Sequence, residues 1–157
     1  MRIDTLLITL FNAIASDSTL KTWATTQYGH IHKVFVNIDQ NNPPKESDCP
    51  FVVIAKSSKS EGQGIDPKVH GFLVRCAIND DSTTTPSHSN ITLYTGVANL
   101  ETFRRYTRNA ITGASFGNLT VESILTEYGP LESFPWFDCE MSININEDFV
   151  LGGEAFE

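Results

Sequence analysis

Charge is scarce in this chain, and positive charge disappears partway along it. Charged residues make up 19% of 157, below the ~25% usual for globular domains. All 11 Lys and Arg residues lie at or before Arg108. The residues beyond hold acids only: Glu122, Glu127, Glu132, Asp138, Glu140, Glu147, Asp148, Glu154 and Glu157. A surface of that sign repels a phosphate backbone, which argues against direct duplex binding, and it disfavours an anionic membrane leaflet. Cysteine is nearly absent. Cys49, Cys76 and Cys139 are odd in number, widely spaced and without a C-x-x-C, which points to free buried thiols in a reducing compartment. No apolar run reaches the ~18–20 residues of a membrane span. Met1–Ser16 is apolar but periodic and contains Asp4, unlike the continuous core of a secretory signal. Without an export signal, the glycosylation patterns at Asn90-Ile91-Thr92 and Asn118-Leu119-Thr120 are read as chance.

What fills the space is uncharged polarity. Ser, Thr and Asn together number 40, a quarter of the chain, and the net charge is −8. Such residues suit strand faces and turns better than long surface helices. The length is that of one domain spanning 1–157, able to build a core without disulfides.

Hydrophobic spacing divides the chain into elements. Ile3, Leu6, Leu7, Leu10, Phe11 and Ile14 recur at helical intervals. Ser16-Asp17-Ser18 interrupts them and caps a second, short helix over about Thr19–Gln27, with Leu20, Trp23 and Ala24 inward and a stop near Gly29. Val34, Val36 and Ile38 alternate as a strand, and Asn41-Asn42-Pro43-Pro44 must be loop. Phe51–Ala55 is apolar throughout, as expected of a strand covered on both faces. Ser57–Lys68 reads as a polar connection. Val69–Ile78 alternates again, and Asn79–Asn90 reads as an exposed loop. Ile91–Thr95 begins a strand or leads into a helix from about Val97 to Gly113. Thr120–Glu127 and Trp136–Asn146 are the closing strands. In the latter, Phe137, Cys139, Met141, Ile143 and Ile145 oppose Asp138, Glu140, Ser142, Asn144 and Asn146. The expected architecture is α+β: a single mostly antiparallel sheet of four to five strands with helices packed on one face.

Catalytic and ligand-binding patterns are weak. Gly62-Gln63-Gly64 lacks the residues of a phosphate loop. His30 and His32 would share one side of a strand but lack a third ligand. Asp80-Asp81 fails the calcium-loop pattern. Ser87-His88-Ser89 cannot preorganise a triad within a loop. Cys76 falls on an apolar strand face and reads as core, and the Asp138–Glu140 pair reads as a solvated face. No catalytic, cofactor-binding or metal-ligating residue is assigned, and no cofactor is expected. The remaining features suit assembly: long polar loops, a regular last strand expected near a sheet edge, and a cationic helix (Arg104, Arg105, Arg108) opposite in sign to the acidic final third. The three arginines are candidate subunit-interface cations, since head-to-tail contacts of opposite charge close into rings.

The order of elements resembles that of one family over nearly the whole chain. The opening amphipathic helix Ile3–Ile14, the proline-introduced strand Cys49-Pro50-Phe51-Val52-Val53-Ile54, the strand Val69-His70-Gly71-Phe72-Leu73-Val74-Arg75, the helix with Leu100-Glu101-Thr102-Phe103-Arg104 and the ending Phe134-Pro135-Trp136-Phe137-Asp138-Cys139-Glu140-Met141-Ser142-Ile143 resemble bacteriophage tail terminator proteins, also called tail completion or head–tail joining proteins. The resemblance implies a non-enzymatic virion tail protein, assembled in the bacterial host cytoplasm. It implies a ring of the chain with itself, usually a hexamer, that ends tail-tube polymerisation and aids head–tail joining. Its implied partners are the tail tube protein and head–tail connector proteins, with no membrane and no specific nucleic-acid binding. DNA would pass through the ring, which makes Glu127, Glu132 and Glu140 candidate lumen-facing acids. Two other readings stay open at this point: a small ligand-binding or enzymatic α+β domain, and a component of a phage-tail-like secretion machine.

Overall fold

The computed structural model describes residues 3–60, 68–130 and 133–147. The first helix, α1 (Ile3–Ser16), buries Leu6, Leu10 and Ile14 along one stripe. Asp17 then caps α2 (Ser18–Tyr28), its carboxylate accepting from the Leu20 amide at 2.8 Å. Gly29 ends α2 with φ of 78°, a left-handed conformation that favours glycine.

The strands are β1 (Lys33–Val36), β2 (Phe51–Ser60), β3 (Lys68–Asn79), β4 (Thr83–Thr84) and β5 (Leu93–Tyr94), followed by α3 (Thr95–Thr112), β6 (Leu119–Tyr128) and β7 (Trp136–Glu147). Five of them form one sheet in the order β1-β2-β3-β7-β6. β1 and β2 run parallel and every other pair is antiparallel. The helices cover one face of this sheet, so the α+β expectation holds. Phe72, Val74 and Cys76 of β3 and Met141, Ile143 and Ile145 of β7 meet Leu10, Leu100, Phe103 and Ile111 in the main core. Trp23 of α2 stacks on Phe103, with ring centroids 5.2 Å apart. Burying side chains of this size contributes roughly 1.5–3 kcal/mol each, the main stabilising term in the fold. A smaller apolar cluster of Phe51, Val53, Ala77, Phe35 and Trp136 sits on the opposite face, at one end of the sheet.

Three expectations need correction. β7 is not itself an edge strand; it lies one strand in, between β3 and the terminal β6. Its clean apolar–polar alternation reflects a sheet covered on one face, where an interior strand alternates as well as an outer one does. The polar connection expected over Ser57–Lys68 is strand at both of its ends, because β2 runs on to Ser60 and β3 starts at Lys68. Residues 61–67 lie outside the described residues. The loop expected over Asn79–Asn90 contributes Thr83–Thr84, paired with Leu93–Tyr94 in a small hairpin at the entrance to α3.

Candidate assembly surfaces

Along β7 the outward positions form a polar face that no helix covers. Glu140 stands in register with Glu127 of β6 on one side and with Arg75 of β3 on the other. Arg75 is committed elsewhere: its Nε donates to Asp138 Oδ2 at 2.7 Å, within an ion pair. Glu127 and Glu140 thus oppose one another, and among the described residues neither forms an ion pair with a base. Carboxylates directly opposite on neighbouring strands repel, so this face is a strip of negative potential open to solvent. The structure therefore brings two of the three candidate lumen acids together. Glu132 lies outside the described residues.

The three arginines of α3 are placed differently from one another. Arg104 turns towards the sheet, its Nε donating to Glu101 Oε2 at 2.9 Å. The hydroxyl of Tyr128, at the end of β6, donates to the same carboxylate. The Arg104 guanidinium holds the Glu101 carboxyl down at about 2; partial burial opposes this and the Tyr128 hydroxyl adds to it. Arg104 is thereby tied into its own chain. Arg105 extends over the Tyr106 ring, 5.5 Å from its centroid, and Arg108 donates to Asn109 Oδ1 at 3.3 Å. Neither makes an ion pair with an acid among the described residues. Arg105 and Arg108 remain exposed on the outside of α3.

The sheet's edges are formed by other strands than the last one, which the sequence had suggested. β6 is a terminal strand ten residues long, paired on one side by β7. It carries Leu125 at 63% exposure and Tyr128 at 60%. At the other side of the sheet, β1 covers only Phe51–Ile54 of β2. From Ala55 to Ser60, β2 has no strand beyond it among the described residues. Register breaks at Val121/Ser123 in β6 and at Lys56/Ser58 in β2 mark bulges. The sequence signal for this second edge was the very polarity of Ala55-Lys56-Ser57-Ser58-Lys59-Ser60, which resembles a loop unless the strand before it is followed outwards.

Elsewhere the chemistry is structural. His30 is exposed, whereas His32 is buried with Nε2 2.8 Å from the Ile14 carbonyl. The two imidazoles therefore do not converge. Among the described residues no group of three His, Cys, Asp or Glu is placed to hold a metal ion. Cys49, Cys76 and Cys139 are free and buried, with Cys76 and Cys139 directly opposite across β3 and β7. An open cleft of about 560 Å³ is bordered by Tyr28, Glu46, Asp80, Thr95 and Asn99. The Asp80 carboxylate there accepts from the Ser82 amide, Thr95 Oγ1 and Asn99 Nδ2. Burial works against its charge, yet these bonds carry its pKa below the usual carboxylate value. They fix the hairpin to the start of α3. Among the described residues no helix is long and apolar enough to cross a membrane.

No family model matches the chain, and no curated protein matches it. Among solved structures the chain is similar to one from "Virion of native gene transfer agent (GTA) particle". The TM-score is 0.52 at 12% identity, over 87% of this chain and 90% of that one. At that identity the likeness is one of fold.

Proposed function

We propose that the chain is a non-enzymatic structural protein of a phage-like particle, acting as a tail terminator. In this reading, copies form a ring at the end of the tail tube, and the ring stops tube polymerisation and receives the head connector. The observation that carries the reading is the fold, similar over nearly its whole length to a chain of a virion particle. Three features of the surface support it. Arg105 and Arg108, opposite in sign to the acids of the final third, stand without ion-pair partners among the described residues, as head-to-tail docking requires. The helix-free face of β6 and β7 is acidic, a wall along which DNA would slide because phosphate is repelled. Among the described residues the two sheet edges are open to further strands. Arg104 drops out of the proposed contact, since Glu101 already engages it.

Light scattering on the purified chain, alone and with tail tube protein, tests the reading. A closed oligomer of fixed mass in either sample is expected, and particles lacking the chain should carry overlong tubes. A monomer in both samples at high concentration would overturn it.

A further inference from the structure

The helix-free face carries an apolar groove of about 280 Å³ at the end of the sheet where β7 begins. Phe51, Ala77 and Trp136 supply its floor, and Ile38, Pro43 and Pro44, from the segment after β1, supply a wall. The Arg75–Asp138 ion pair lies along it. Phe51 and Ala77 belong to the small apolar cluster that is separate from the main core. Ile38 is 42% exposed. Apolar area left in water forgoes about 25 cal/mol per Å² relative to covered area. Concave apolar surface of this kind is where the side chains of a partner insert.

The chain holds one segment of matching chemistry outside the described residues. Phe149-Val150-Leu151 begins two residues beyond the end of β7. Residues 1–2, 61–67 and 131–132 contain no two adjacent apolar side chains. Reach excludes the groove of the same copy. Of the groove's sheet residues, Arg75 comes nearest to the end of β7, and it is in register with Glu140. Glu140 stands seven residues before Glu147, roughly 23 Å of strand. The four residues from Glu147 to Leu151 span at most about 14 Å. A second copy has no such limit, and it supplies one segment for each groove.

We infer that Phe149-Val150-Leu151 of one copy seats in the Ile38–Trp136 groove of a second copy. The contact is heterologous, because the segment leaves one end of β7 and the groove lies at the other. Copies joined in this way follow one another along the direction of β7, and they close into a ring when the rotation between them allows. Within such a ring β7 runs nearer to the circumference than to the axis. Were the strands upright, the neighbour's groove would stand as far from the segment as the copy's own. The inference deepens the terminator reading by naming one subunit contact, and rests on it for the ring.

Two full-length variants test the contact. Phe149→Asp with Leu151→Asp spoils the segment and keeps the groove. Ile38→Asp charges the groove wall and keeps the segment, with Pro43→Asp in its place if circular dichroism finds Ile38→Asp unfolded. A synthetic peptide of residues 148–157 is titrated into each variant by calorimetry. Saturable binding to the segment variant is expected, weakened at least about tenfold in the groove variant. No binding at millimolar peptide, or equal binding to both, overturns the inference. Mixed above the peptide Kd, the two variants should give a dimer and nothing larger by light scattering, since one offers no segment and the other no groove. A mixture that stays monomeric, or that grows past a dimer, overturns it as well. A wild-type oligomer beside an unbound peptide strikes the contact and leaves the terminator reading standing. A bound peptide beside a wild-type monomer, alone and with tube protein, does the reverse.

Discussion

Two buried histidines make the stability of this domain sensitive to mild acid. The Nε2–H of His32 donates to the Ile14 carbonyl, and its Nδ1 is buried with no partner. Burial pushes its pKa below the ordinary value, although the Ile14 bond works the other way. His70 is also buried, and burial lowers its pKa against the pull of Glu147. A histidine whose folded pKa is depressed binds fewer protons folded than unfolded, so its stabilisation is complete above the unfolded pKa of about 6.5 and declines as pH falls through that value. The urea midpoint should drop between pH 7.5 and 5.5, and His32→Gln should flatten the drop. A midpoint independent of pH across that window would refute this. Close packing at Gly96 supplies a second residue-level test. A Cβ there would collide with the ring of Phe137 on β7, which also packs edge-to-face against Phe134. Gly96→Ala should cost about 1–3 kcal/mol, lowering Tm by roughly 2–4 °C per kcal/mol. Phe137→Leu in the same chain should recover part of the loss.

On α3, three arginines within five positions divide into one with an internal partner and two facing solvent. Removing Arg104 releases Glu101 and Tyr128 from their shared network, so Arg104→Ala should lower the melting temperature. The double variant Arg105→Ala, Arg108→Ala touches no ion pair among the described residues and should leave melting within about 0.5 kcal/mol of wild type. Its native mass should nevertheless shift towards monomer. Equal melting and equal mass would remove these cations from the contact. No sequence pattern announces this division, because Tyr128 joins the network from 27 residues away. Element identity was far more legible. The Leu6, Leu10, Ile14 stripe of α1 and the alternation of β7 follow directly from burial on one side. Strand order was not legible, since an interior strand with one bare face carries the same alternation as an edge strand. The outer half of β2 was hidden for a related reason: a strand edge dressed in Ser and Lys has the composition of a loop. Glu127 and Glu140 were separately visible as acids, but their opposition depends on the β6–β7 register, set partly by the bulge at Val121/Ser123.

At the scale of the proposed ring, the acidic open face has a definite place. If copies of the chain turn that face inward, Glu140 stands on the channel wall with the helices outside. Glu140 is on β7, two strands from the free stretch of β2 and one from β6. Its carboxylate can therefore be neutralised without altering either edge. Glu140→Gln should retain the native mass of the wild-type oligomer and the same melting temperature. Particles built with it should release DNA more slowly at low salt, because a less negative wall holds phosphate more readily. The difference should fade near 1 M salt, where the Debye length is about 3 Å. Release kinetics of matched particles at the two salt concentrations measure the effect. Loss of the oligomer would make Glu140 a contact residue, and unchanged release at low salt would put the acidic face outside the channel.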